Sequence, residues 1–152
     1  MNGFYDFSDL EVGMRINVEG RFAGAGNLRA IQMEIKQDGE MDEMEGNIES
    51  VDAGQNTLRV FGVPFEVGQT LVLDQMREVI GLADLKPGMR IKCKGRMAPE
   101  RIYRPSKIKV KSSAPDNMDE LEGEIAAIDP EARTLQVMGF TVHVGPDVEI
   151  EE

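Results

Sequence analysis

Apolar and polar residues alternate with a period of two along several short stretches of this chain, the signature of strands with one buried face. From Met14 to Arg21, apolar Met14, Ile16 and Val18 interleave with polar Arg15, Asn17 and Glu19, and Gly13 before them fits a turn. A second strand is expected from about Leu28 to Lys36, with Ile31, Met33 and Ile35 facing inward and Gln32, Glu34 and Lys36 facing out. The Gly-rich connection Ala-Gly-Ala-Gly-Asn (23–27) reads as a hairpin loop.

Two later stretches, GNIESVDAGQNTLRVFGVPFEV from Gly46 and GEIAAIDPEARTLQVMGFTVHV from Gly123, share one grammar. Ile48 and Val51, like Ile125 and Ile128, are apolar three apart, so strict alternation requires a bulge or twist between them. Asp52 or Asp129 opens a polar turn, after which Leu58 and Val60, or Leu135 and Val137, resume a period of two. Gly62 and Gly139 mark tight hairpins, where a residue without a Cβ accepts positive φ. Val63, Phe65 and Val67, matched by Phe140, Val142 and Val144, return inward, which makes a β-meander present twice. Between Asp74 and Leu85 the period changes. DQMREVIGLADL places Met76, Val79 and Ile80 on one helical face behind Asp74 as N-cap, with Pro87 and Gly88 as the stop, and predicts one short helix that plugs a barrel end.

These elements belong to a repeat. DLEVGMRINVEGR (Asp9–Arg21) returns as DLKPGMRIKCKGR (Asp84–Arg96), and Met41–Val67 returns as Met118–Val144. Strand, strand, strand, helix, strand, strand from residue 44 to 111 is the order of a five-stranded oligonucleotide/oligosaccharide-binding (OB) barrel. The expected fold is all-β: two small OB-like five-stranded barrels from an internal duplication, with one short helix. Residues 44–111 form one contiguous barrel, and residues 1–40 together with 118–152 form the other from both chain ends. The alternative is two serial permuted barrels, 1–73 and 84–152. The helix in the middle segment favours the nested arrangement.

Composition refines this picture. The 152 residues are 41% hydrophobic but only 5% aromatic, so the cores are built from Val, Ile, Leu and Met. A net charge of −11 argues against a surface that is basic throughout. A single cysteine, Cys93, excludes an internal disulfide and a cysteine-built metal site, and it stands where the first copy has Val18, as a buried apolar residue would. No apolar run reaches spanning length and the start MNGFYDFSDL lacks a signal-peptide pattern, so the expectation is a cytoplasmic protein, or a periplasmic or secreted one if the chain is a processed fragment.

No catalytic, cofactor-binding or metal-binding residue is assigned, and no cofactor is expected. The acidic runs Asp38–Glu45 and Asp116–Glu122 lack the glycine-centred spacing of a calcium loop and read as solvated linkers. His143 occupies the outward side of a strand without obvious partners, and one His and one Cys in strands assemble no nucleophile, histidine and acid arrangement. Charge segregation is the functional signal. From Lys86 to Lys111 ten basic residues face one acid, Glu100, which leaves seven basic against 27 acidic residues elsewhere, or −20. Arg90, Lys92, Lys94 and Arg96 alternate with inward residues on one strand, and Lys107, Lys109 and Lys111 do so on the next. With Arg101, Tyr103 and Arg104 they make a candidate basic binding face, Tyr103 being its only aromatic. The first copy has Arg15, Asn17, Glu19 and Arg21 at the matching places, so the fold does not require the charge.

The strings E-G-x-I-x-x-V/I-D, T-L-x-V-x-G and D-L-x-x-G-M-R-I-x-x-x-G resemble a bacterial domain family of unknown function with OB-like repeats, often found in envelope or secreted proteins. The resemblance covers nearly the whole chain, once intact and once as two halves, and implies no catalytic residues. Together these readings lead to the expectation of a non-catalytic binding or assembly module whose tandem OB-like domains mediate protein–protein contacts or self-association. The alternative is single-stranded nucleic-acid or polyanion binding through the basic hairpin 90–111.

Overall fold

In a computed structural model, residues 4–24, 26–37, 39–112 and 117–152 are described. Ala25, Asp38 and Asp116, which belong to the expected hairpin loop and acidic linkers, lie outside them. The described chain is all-β, and its strands in order are β1 (Phe4–Tyr5), β2 (Arg15–Phe22), β3 (Asn27–Lys36), β4 (Asp42–Asn47), β5 (Ser50–Asp52), β6 (Thr57–Val60), β7 (Val63–Glu66), β8 (Leu71–Leu73), β9 (Arg90–Met97), β10 (Tyr103–Lys111), β11 (Asp119–Asp129), β12 (Thr134–Val137), β13 (Phe140–His143) and β14 (Glu149–Glu151). The chain divides into two compact units, Met1–Asp42 with Met118–Glu152, and Glu43–Asn117.

In the first unit five strands close a barrel. β11 pairs antiparallel with β12, β12 with β13, β13 runs parallel to β3, β3 pairs antiparallel with β2, and β2 returns to β11. Ile16, Val18, Leu28, Met33, Leu121, Leu135, Phe140 and Val142 face inward and are almost wholly buried. Burying each such side chain contributes ~1.5–3 kcal/mol. β14 runs parallel to β3 and carries β1 on its far side.

The second unit has the same neighbours. β5 pairs with β6, β6 with β7, β7 and β8 run parallel to β10, and β10 pairs with β9, which lies beside β4. The counterpart of β11 is split here into β4 and β5. The apolar spacing anticipated an irregularity at this point, and each unit resolves it differently. β11 stays continuous with a register shift between Ile125 and Ala127, whereas the other strand breaks at Ile48 and Glu49. Both solutions keep the same hydrogen bonds to the Gly-Met turn. Gly13 N–H donates to Ile125 O and Ile125 N–H to Met14 O at 2.9 and 2.8 Å, and Gly88, Ile48 and Met89 repeat the pair at 2.8 Å each.

The hairpins at Gly62 and Gly139 are two-residue turns with positive φ at both central residues, Phe61 and Gly62 at 56° and 73°, Met138 and Gly139 at 53° and 80°. Such turns match the right-handed twist of the flanking strands.

Two expectations require correction. No helix forms between Asp74 and Leu85. Instead the Asp74 carboxylate accepts from the N–H groups of Met76 and Glu78, Arg77 adopts φ 65°, and Val79 bridges back to Leu73. Asp74 caps the backbone as in an N-cap, but the local turn wins because Met76 and Val79 are exposed and find no core to cover. Only a 3₁₀ turn, Leu82–Asp84, remains, and Phe7–Asp9 forms its counterpart, so the helix does not distinguish the middle of the chain. Ile31 was expected inward but is 48% exposed. It is the extra residue of a bulge, where β3 pairs Gln32 and Ala30 with the adjacent Glu19 and Gly20. Ser106 holds the same place between Pro105 and Lys107. Among the described residues no helix is long and apolar enough to cross a membrane.

Candidate functional site

The basic hairpin is built by β9 and β10, whose register places like charges opposite one another: Arg90 with Lys111, Lys92 with Lys109, Lys94 with Lys107, and Arg96 with Arg104. Neighbouring strands are ~4.8 Å apart, so these side chains share one face. Inward residues Ile91, Cys93, Ile108 and Val110 are buried beneath them.

The ten candidate residues divide by environment. Lys92, Lys94, Lys107, Lys109 and Lys111 form the face proper, and among the described residues none of the five makes an ion pair. Arg96 is exposed beside Arg104. Arg104 itself is neutralised, its Nε 2.9 Å from Glu66 and its Nη2 3.4 Å from Glu100, and the Glu66 bond raises its pKa. Arg101 takes φ 64° in the connecting turn, where its N–H donates to Ala98 O.

Arg90 and Tyr103 are not available as a binding surface. Arg90 is 4% exposed and its Nε lies 2.8 Å from the Glu45 carboxylate. The same pair exists in the other unit, where Arg15 meets Glu122 at 2.9 Å. The Arg of G-M-R-I and the Glu of E-G-x-I are therefore one ion pair that ties two adjacent strands. The Gly of E-G has its own reason. A Cβ on Gly46 would lie 2.3 Å from the Phe61 ring, so the turn side chain lies over the glycine, as Met138 lies near Gly123. Tyr103 is fully buried with its ring centroid 4.6 Å from that of Phe65, in the place Leu28 holds in the first unit. Strict alternation from Lys107, Lys109 and Lys111 carries residue 103 to the outward face, and the bulge at Ser106 shifts the alternation and turns Tyr103 into the core.

Two neighbours of the face were missed, Arg77 because 74–85 read as a helix and β8 because three residues are too few to show a period. Arg77 approaches Lys109, and its charge is the main cause that holds the Lys109 pKa below the usual lysine value, ahead of burial and of Lys111, Lys107 and Lys92. β8 runs beside β10 with Leu71 opposite Lys107 and Leu73 opposite Lys109, so an apolar edge, with Leu71 44% exposed, borders the lysines.

Other chemistry-bearing residues are placed as follows. Cys93 is buried, and desolvation, with Glu45 nearby, pushes its thiol well above the ordinary range. His143 is exposed in the first unit, with Nε2 2.8 Å from Asn27 Oδ1. Among the described residues no three His, Cys, Asp or Glu side chains are grouped to hold a metal ion. The first unit has an open concavity of about 570 Å³ by Phe7, Leu10 and Arg133, whose guanidinium lies 4.8 Å over the Phe7 ring and donates to Val144 O.

No curated protein and no solved structure matches the chain. Residues 45–109, most of the second unit and all of the basic hairpin up to Lys109, match the family described as Domain of unknown function (DUF5666).

Proposed function

We propose that this chain is a non-catalytic binding module whose working surface is the outward face of β9 and β10, and that the partner is an anionic protein surface. The observation that carries the proposal is the stack of like-charged rungs with five lysines that make no ion pair among the described residues. Like charges directly opposite on a sheet destabilise it. The outer rungs recur in the first hairpin, as Arg15 with Lys36 and Arg21 with Arg29, but the two central ones, Lys92 with Lys109 and Lys94 with Lys107, do not, and a cost borne there in one copy alone is a cost retained for a ligand. The non-catalytic reading is supported by the position of the candidate nucleophile, since a buried Cys93 with a raised pKa is a structural thiol.

Single-stranded nucleic acid is the competing partner, but recognition of bases by such barrels depends on stacking platforms as well as charge. Tyr103, the candidate platform, has its ring in the core against Phe65. A protein partner needs only the charge and the apolar edge at Leu71.

The test is fluorescence anisotropy with labelled polyglutamate and labelled oligothymidylate in a salt titration. Polyglutamate binding that weakens steeply with salt, and is lost in the double variant Lys94→Glu with Lys107→Glu, is expected. Absence of polyglutamate binding at low ionic strength rejects the surface. Tighter binding of the oligonucleotide at every salt concentration moves the assignment to nucleic acid.

A further inference from the structure

The matching face of the first unit shares the outer basic pairs, Arg15 with Lys36 and Arg21 with Arg29, but has carboxylates at its centre and along β14. Because both hairpins share one register, each outward position has a counterpart. Lys92 and Lys109 correspond to Asn17 and Glu34, while Lys94 and Lys107 correspond to Glu19 and Gln32. Beyond β3, β14 sets Glu149 beside Gln32 and Glu151 beside Glu34, where the second unit has Leu71 and Leu73 beside its lysines. On the other side, β11 brings Glu120 opposite Glu19. Glu34 reaches Lys36 only at 3.5 Å, and Glu19, Glu149 and Glu151 make no ion pair among the described residues. Four lysines in two rungs therefore have, on the same grid of strand positions, a block of five carboxylates to match.

We infer that the partner of the basic face is a second copy of this chain, docked through the outward face of β2, β3 and β14 in its first unit. The inference rests on the binding-module reading above and names its partner. Both grids have a strand spacing of ~4.8 Å and a same-face repeat of two residues, so charges spaced by one sheet fall opposite charges spaced by the other. Complementary potentials of this kind fix orientation and suppress wrong pairings, here the basic face on a second basic face. The contact is heterologous, since each copy offers one face of each sign, and such contacts extend into rings or open chains.

The test uses sedimentation velocity on the full chain over a range of concentrations at about 0.02 M and about 0.5 M NaCl, where the screening length falls severalfold. Wild type is expected to gain mass with concentration at low salt and to sediment as monomer at high salt. Lys92→Glu, Lys94→Glu, Lys107→Glu and Lys109→Glu together make both faces acidic, and Glu19→Lys, Glu34→Lys, Glu149→Lys and Glu151→Lys together make both basic. Each variant alone is expected to stay monomeric, and an equimolar mixture of the two to associate. Recovery in the mixture also shows that both variants are folded. A wild type that is monomeric at all salts overturns self-docking. If it still binds labelled polyglutamate through Lys94 and Lys107, the binding module stands with a foreign acidic partner. If it binds neither, both readings fall. Self-association that survives both reversals places the contact elsewhere and overturns the inference.

Discussion

The β2–β3 hairpin and the β9–β10 hairpin share register, bulge and buried ion pair, yet at the centre of the outward face one carries Asn17, Glu19, Gln32 and Glu34 and the other four lysines. Residues that the backbone geometry demands are the same in both: Gly20 and Gly95 at the bulge, Arg15 and Arg90 in the ion pair, apolar residues on the inward side. The residues that differ are the four central ones on the outward face, whereas outward Arg21 and Arg29 match Arg96 and Arg104. A position identical in both hairpins is held by the frame, and a position that changes sign is open to function. Arg90 belongs to the first class and Lys92, two residues along the same face, to the second.

The largest effect in this comparison is expected from the buried ion pairs. Arg15→Met and Arg90→Met each leave a carboxylate in a largely buried site, and each is expected to destabilise by ~3–5 kcal/mol in chemical denaturation. Replacing both partners, as in Arg90→Met with Glu45→Leu, is expected to recover most of the loss, because two apolar side chains carry no desolvation penalty. If Arg90→Met costs no more than Lys94→Met, the division between frame and face is wrong.

Next come the bulge glycines. A Cβ on Gly20 would lie 2.1 Å from Arg29 O, and one on Gly95 would lie 2.3 Å from Arg104 O. Backbone blocks the added methyl in both, so Gly20→Ala and Gly95→Ala are each expected to cost ~1–3 kcal/mol, with similar values in the two units. A large difference between them would show that the two bulges are not equivalent in strain. Tyr103→Leu installs the residue found at the equivalent position, Leu28, and removes the ring that packs on Phe65. A loss of ~1–2 kcal/mol with unchanged polyglutamate binding is expected, and weakened binding in a fully folded variant would return Tyr103 to the surface.

The repeat and the period of two made the strands, the two-residue hairpins and the inward sets at β6, β7, β12 and β13 legible in the sequence. What stayed hidden depended on contacts between residues far apart in the chain. The Arg90–Glu45 pair spans 45 residues and the Arg15–Glu122 pair 107, and neither sequence neighbourhood hints at the other. At 74–85 a helical spacing of Met76, Val79 and Ile80 was real, but a short amphipathic stretch becomes a helix only when its apolar face meets a core. The carboxylate of Asp74 offered the backbone a turn instead. Ile31 shows a subtler limit, since a bulge shifts the alternation by one residue and turns an apolar side chain to solvent.

A smaller effect separates face from frame directly. Installing the first unit's residues in the second, as Lys92→Asn, Lys94→Glu, Lys107→Gln and Lys109→Glu, replaces the two central like-charged rungs with the pairs found opposite one another in β2 and β3. The melting temperature is expected to rise while polyglutamate binding disappears, a stability gain bought with function. A fall in melting temperature would mean that the lysines support the hairpin.

The smallest expected effect concerns one lysine. Arg77 is the main cause of the lowered Lys109 pKa, so Arg77→Gln is expected to move that pKa back toward the ordinary lysine value, read from the side-chain NMR resonances of Lys109 during a pH titration. The sign for stability follows from the direction of the shift. With its folded pKa below its unfolded one, protonated Lys109 opposes folding at neutral pH, and this opposition fades as pH rises through the folded pKa and ends above the unfolded one. Arg77→Gln is therefore expected to flatten the alkaline rise in stability that wild type gains from this group. In the first unit Glu34 holds the position of Lys109, with Lys36 at 3.5 Å and Glu151 beside it. An Arg77→Gln variant whose Lys109 titrates as in wild type would place the repulsion among the lysines themselves, and would make the rungs of β9 and β10 sufficient to account for the charge of this face.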